Sequence, residues 1–430
     1  MSPLSSRRPS RRARPTTRAL AALVAAVTLS PACAESGDGT VTSYEGARVI
    51  VGDGSVIEDA VFHVADGRIT AVGSAAEVGV PPTAVRVDLT GRTVMPAIVN
   101  AHVHVSPERA ERTSQLRHMA YWGAGTVVSL GLDDGDVPFA MRGETVPDAA
   151  RALTAGRGIT APEPGRSEVP FWVTTEEEAR AAVRELAARS VDIVKIWVDD
   201  RGGQYEKLSP ELYGAVIDEA HAHGLLVTAH VFTLEDAKGL LRAGVDAFAH
   251  GIRDRDIDDE LVALWLERPG VVLVPNLPGP GVPEDLGWLA ATVPADRLAE
   301  MQAASVERPE AQEAFGIQAR NLARLDRAGV RIAFGTDGST AWAPHQEMAD
   351  MVRAGMTPAE VIVAATATSA DLMRLDDVGT IEVGKRADFI VLDANPLDDI
   401  ANTRRISAVH LNGATIDRSA IAAVLLGTAP

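Results

Sequence analysis

Cysteine is almost absent from this chain. Cys33 is the single one among 430 residues, so no intramolecular disulfide can form and no cysteine cluster can hold zinc. Any metal would have to be held by histidine and carboxylate. Basic stripes are missing as well. Beyond the first 20 residues nothing interrupts an acidic balance of 59 Asp and Glu against 41 Lys and Arg, a formal net charge of −18. No nucleic-acid partner is expected. The apolar run Ala19–Leu29 is too short to span a bilayer as a permanent helix. What is present is ordinary for a globular protein: 46% hydrophobic and 23% charged residues, with 37 Gly and 25 Pro. That excludes disordered, collagenous and disulfide-scaffold classes. The length suits two domains, or one large α/β barrel with additions.

Residues 1–34 read as an export signal: Arg7, Arg8, Arg11, Arg12, Arg14 and Arg18, then the apolar run, then small residues. Ser30-Pro31-Ala32-Cys33 resembles a lipobox, which would make Cys33 a lipid anchor, while Ala32-Cys33-Ala34 also fits an ordinary signal-peptidase site. The expected location is outside the cytoplasm, as a cell-envelope lipoprotein or a secreted or periplasmic protein.

From Val41 to Val94 short apolar runs alternate with turns such as Gly52-Asp53-Gly54 and Asp66-Gly67, and Gly379 to Asn412 reads the same way. Two β-rich ends predict one small β-sandwich built from residues 35–94 and 376–430. Between them, apolar β runs alternate with capped helices. The runs are Val94–Val99, Thr126–Leu130, Arg151–Thr154, Ile193–Val198, Leu225–Ala229, Ala247–Ala249, Val271–Val274 and Val330–Phe334. Thr174 to Glu177 reads as a capping box, Ser209-Pro210 and Thr357-Pro358 as helix starts, and Gly244 and Gly329 as left-handed helix ends. Eight such strands predict an α/β fold, a (β/α)8 TIM-type barrel over residues 95–375, with its chemistry at the C-terminal strand ends.

Those ends carry the informative residues. His102 and His104 close the first run, Lys195 lies inside the fourth, His230 and His250 end the fifth and sixth, and Asp337 follows the eighth. In a strand, residues i and i+2 share a face, so His102 and His104 can bind one ion together. Imidazole and carboxylate suit Zn2+ and similar divalent metals. His221 and His223 repeat the spacing inside a predicted helix, where i and i+2 diverge, and read as surface histidines. A lysine within Ile193-Val194-Lys195-Ile196 is costly as a buried cation and asks for a role.

The set of motifs is similar to that of the amidohydrolase superfamily, in particular its imidazolonepropionase-like and prolidase-like members. It runs through Asp66-Gly67-Arg68-Ile69, Val94-Met95-Pro96, His102-Val103-His104, Val194-Lys195-Ile196, Thr228-Ala229-His230, Ala249-His250-Gly251, Gly335-Thr336-Asp337 and Gly379 to Asp388. Ala97 and Asn100 depart from the usual Gly and Asp; neither position is a ligand in the family. The resemblance implies two divalent metal ions, Zn2+ first among them, and Lys195 carried as N6-carboxylysine, bridging both. His102, His104 and Asp337 would hold one ion, His230 and His250 the other. It further implies hydrolysis of an amide bond by a hydroxide held between the metals, with Asp337 as acid and base. If Lys195 is instead a plain ammonium, a one-metal deaminase or cyclic-amide site replaces this scheme.

The expected substrate is a small molecule, a dipeptide or N-acyl amino acid, with cyclic amides, deamination and lactones as alternatives. A catalytically silent binding protein is the non-enzyme alternative. Arg201 could clasp a substrate carboxylate or pair locally with Asp199 or Asp200. Tyr205, in the same segment, and His345, Trp342 and Arg253, which also follow predicted strands, are further candidates for the pocket. Relatives often assemble, so a homo-oligomer is a further expectation.

Overall fold

The structure is a computed structural model that describes residues 40–428. The readings made on residues 1–34, including the lipid anchor at Cys33, lie outside the described residues. No helix among those described is long and apolar enough to cross a membrane.

Both ends of the described chain meet in one sheet. Thr42–Ile50, Val56–Ala65, Arg68–Ser74, Val85–Asp88 and Thr93–Pro96 join Phe389–Leu392, Ile406–Leu411 and Ala414–Thr415. The halves are stitched where Thr93–Pro96 runs antiparallel to Phe389–Leu392, Val94 opposite Val391. Asp66-Gly67 makes the tight hairpin that the sequence announces: both residues have positive φ, 50° and 73°, and Ala65 pairs with Arg68. Such a two-residue loop matches the twist of its strands. A sandwich was expected, whereas the eight strands bond along one path that forks. Thr42–Ile50 pairs with Val85–Asp88 through its first half and with Thr93–Pro96 through its second. Gly46 sits at the change, with φ 80° and a register shift beside it. Tyr44 stacks on Phe62 at 4.8 Å, and Phe389 meets both edge-on, closing this core.

The middle of the chain is parallel α/β structure. Ile98–Val103, Ala124–Ser129 and Arg151–Thr154 form one sheet. Phe171–Trp172, Ile159–Thr160, Val194–Val198, Val227–Val231, Ala247–Ala249, Val272–Val274 and Arg331–Ile332 form another, in that order. Backbone hydrogen bonds link the two at both margins: Asp192 N–H donates to the Thr154 carbonyl and Ala101 N–H to that of Phe334, each at 2.9 Å. Strands such as Val194–Val198 are buried along their whole length, as parallel strands covered on both faces must be.

Helix signals were mostly where the sequence put them. Ser209 caps Pro210–Ala222, Thr357 and Glu360 make a reciprocal box, and Gly244 turns left-handed at φ 105°. The first capping box lies one residue later than read, between Thr175 and Glu178, because Glu178 also takes the Thr174 N–H and hydroxyl. The fifth run slides to Val227–Val231, which brings His230 inside its strand. The eighth shrinks to Arg331–Ile332. Ile159–Thr160 and Phe171–Trp172 were not anticipated, and the segment between them matters for the site.

Candidate metal centre

All six residues singled out at the strand ends line one cavity of about 360 Å³: His102, His104, Lys195, His230, His250 and Asp337. His102 is the fifth residue of its strand and wholly buried, and its ring lies 5.2 Å from that of His104. His250 directly follows Ala247–Ala249, with its ring 4.6 Å from His230 and 5.3 Å from His102. Asp337 is bent into the group by a left-handed backbone, φ 53°, and by its N–H, which donates to the His102 carbonyl. Its carboxylate stands 2.9 Å from His104 Nε2, 3.5 Å from His102 Nε2 and 3.6 Å from His250 Nε2. His102, His250 and Asp337 offer ligand atoms that all lie within 4.8 Å of one another.

Burial dominates the electrostatics. It pushes His102 and His250 far below the ordinary imidazole range and His230 down to about 3. These rings are neutral at pH 7, the form that donates a lone pair to a metal. Burial also drives the Lys195 ammonium down to about 7, and its Nζ has no hydrogen-bond partner among the described residues. For Asp337, burial alone would raise the carboxyl, but the His104 hydrogen bond and the charges of His250, His104 and Lys195 hold it well below the usual range. Asn100, the departure from the superfamily pattern, serves the backbone: its Oδ1 accepts the His102 N–H and its Nδ2 donates to the Thr336 hydroxyl.

Arg201 lines the cavity with Nε and Nη1 engaged and Nη2 without a hydrogen-bond partner among the described residues. Nε donates to Glu163 Oε1 at 2.8 Å, and Nη1 to Asp199 Oδ2 at 2.6 Å. That Asp199 oxygen lies 3.1 Å from His230 Nε2. The local pairing read for Arg201 is present with Asp199, while Asp200 instead accepts the Gly202 N–H. For Asp199, burial raises the carboxyl, and the bonds to His230 and Arg201 more than reverse it. Glu163, 2% exposed, also receives Arg166 at 2.7 Å. Both come from the segment between the two unanticipated strands, and no local sequence signal marks them.

The other substrate candidates fall elsewhere. Tyr205 donates its hydroxyl to the Pro164 carbonyl at 3.2 Å, outside the cavity lining. His345 is not brought to the cavity. It sits buried on the helix Ala343–Arg353, bonded to the Thr403 hydroxyl and the Trp122 carbonyl, both at 3.0 Å. The expectation of a substrate role for it is corrected by that inward orientation. Trp342 lies beside His118. Arg253 stacks over Phe232, whose ring is 4.2 Å from His230, and burial lowers its guanidinium to about 10. His221 and His223 are paired on the helix surface with Asp246 and Glu219.

Residues 93–416 match the pattern described as the Amidohydrolase family. An uncharacterized protein of Mycobacterium tuberculosis is 33% identical over 297 residues, 64% of this chain and 73% of that one. The imidazolonepropionase of Deinococcus radiodurans is 28% identical over 394 residues, 85% of this chain and 94% of that one. Among solved structures, a candidate prolidase from Bifidobacterium longum superposes with a TM-score of 0.73 at 28% identity, covering 90% of this chain and 98% of that one. The strand-end histidines, the buried lysine and the family match together place this chain in the amidohydrolase family, as a hydrolase acting on carbon–nitrogen bonds.

Proposed function

We propose that this chain is an exported, metal-dependent amidohydrolase that cleaves dipeptides or N-acyl amino acids, working from the mouth of a closed (β/α)8 barrel. The backbone bonds at both margins of the parallel sheets support the closure. The Arg-rich leader and Cys33 support export and a lipid anchor. One observation carries the metal reading: wholly buried Lys195 and His102 each present a nitrogen without a hydrogen-bond partner among the described residues, Nζ and Nε2, in one cavity. Such atoms are costly unless something else engages them. A divalent cation would answer His102 Nε2, and CO2 added to Lys195 Nζ with loss of a proton would give N6-carboxylysine, whose carboxylate oxygens would face the cation; a donor set of imidazole and carboxylate fits Zn2+.

Bound there, the metal supplies polarisation of the scissile carbonyl and water of lowered pKa. The chain's own residues do the rest. Asp337, held anionic, takes the proton from the attacking water and returns it to the leaving nitrogen. Asp199 holds His230 from behind at Nε2, and Arg201 ties Asp199 to Glu163. Arg166 lines the cavity with its side chain about half exposed, and gives an anionic substrate a partner.

A second reading, opening of a cyclic amide, is favoured by the match to an imidazolonepropionase along nearly its whole length. Steady-state assays of the metal-loaded chain on dipeptides, N-acyl amino acids and cyclic amides decide between them. Turnover of linear amides only, abolished by Asp337→Asn, is expected. Turnover of cyclic amides alone would overturn the proposed substrate class. Binding that survives Asp337→Asn, with no turnover by the parent chain on any of these, would mark a binding protein.

A further inference from the structure

Behind His102 stands a side chain that the hydrolytic scheme does not use. Asn276 follows the strand Val272–Val274 and is 8% exposed. Its Nδ2 lies 2.5 Å from His102 Nδ1, while its Oδ1 has no hydrogen-bond partner among the described residues. The opposite ring nitrogen, Nε2, faces Asp337 at 3.5 Å. The residue is locked from several sides. Its backbone is left-handed at φ 45°. The next N–H, of Leu277, is held by both oxygens of the buried Glu347 carboxyl at 3.1 and 3.0 Å. Gly335 packs so close that a Cβ there would stand 2.7 Å from both Asn276 Oδ1 and His102 Cβ.

A neutral imidazole has one N–H, and only its bare nitrogen can bind a cation. The carboxamide therefore decides which way His102 serves. With its NH2 toward Nδ1, the ring must accept there and carry its proton on Nε2, which closes the cavity side. Turned by half a rotation, it offers Oδ1 to an Nδ1–H and leaves Nε2 bare. The two orientations occupy the same space: the second gives Oδ1 a partner and takes the NH2 from its own, and it alone leaves Nε2 bare toward the cavity.

We infer that Asn276 is a positioning residue that sets the tautomer of His102: its Oδ1 accepts the Nδ1–H, so that Nε2 stands open to a divalent cation. The inference rests on the metal reading above and deepens it. It assigns Glu347 and Gly335 the task of holding Asn276 in register, and it explains why an asparagine occupies a left-handed position beside a histidine.

Nitrogen-15 NMR of the histidine-labelled, metal-free full chain tests it, with the His102 signals assigned by their loss in His102→Ala. The expected spectrum has the proton on Nδ1 in the parent chain and in Asn276→Asp, which keeps an acceptor, and a shift toward Nε2–H in Asn276→Leu. Zn2+ affinity, measured by chelator competition on the same proteins, should fall about 10–100-fold in Asn276→Leu and only a few-fold in Asn276→Asp. A parent chain with its proton on Nε2 overturns the inference without any variant. So does an Asn276→Leu protein that keeps both the parent tautomer and the parent affinity. His102→Ala that binds Zn2+ as well as the parent would instead overturn the metal reading, while the tautomer still judges Asn276.

Discussion

His102 and His345 are both essentially buried, and burial pushes both imidazoles far below their ordinary range, His345 to about 3. They nonetheless belong to different regions with different logic. His345 spends both ring nitrogens on Thr403 and Trp122 and ties a helix to the rest of the fold. His102 spends one on Asn276 and turns the other, without a hydrogen-bond partner among the described residues, toward a cavity shared with three further imidazoles, Lys195 and Asp337. A buried histidine is thus no evidence of a site by itself. An unsatisfied nitrogen aimed into a polar cavity is.

The sharpest way to break the comparison is to remove both rings in turn. His102→Ala should lower activity at least about 1,000-fold and strip metal, whereas His345→Ala should leave metal content intact and cost about 1–3 kcal/mol of stability, the penalty for stranding buried partners. Elemental analysis and denaturant melts separate the two; metal loss from His345→Ala would erase the distinction.

A smaller effect is expected one layer out. Arg201→Met frees Asp199 and Glu163 and loosens His230, so metal affinity and kcat/KM should fall about 10–100-fold with little change in KM alone. A rise confined to KM would restore Arg201 as a substrate clasp.

The helix region also carries its own titration. Burial raises the Asp350 carboxyl to about 7, against the pull of Arg353. Between an unfolded value near 4 and that folded value, the native state keeps a proton that the unfolded chain releases. Stability conferred by the protonated carboxyl is therefore lost as pH rises from about 4 to about 7. Glu347, raised well above its ordinary value by burial, adds the same sign. Asp350→Asn should flatten the decline of Tm over that window; an unchanged slope would refute the assignment. The smallest effect belongs to Tyr205→Phe, which loses one exposed hydrogen bond and should stay within about 0.5 kcal/mol of the parent, with KM unmoved.

The six cavity residues were legible because their signal is compound: each sits within an apolar β run or shortly after one, and the runs recur with capped helices between them. Arg151–Thr154 and Ala247–Ala249 match to the residue. Other features lacked such a signal. Ile159–Thr160 and Phe171–Trp172 are two residues each, too short for a period-2 pattern, so the segment delivering Glu163 and Arg166 to the cavity was invisible. His345 was misplaced because position after a strand in sequence does not say which way a helix turns its side chain. Asn276 carries no motif, and its meaning lies entirely in proximity to His102, 174 residues away.

The most direct test of the metal centre is the number of metal ions per chain, measured by elemental analysis on protein lacking residues 1–34 and purified with bicarbonate, beside Lys195→Ala. About two ions per chain, falling in the variant, is the predicted result. About one ion, unchanged in Lys195→Ala, would contradict the bridging lysine and leave a one-metal site in its place.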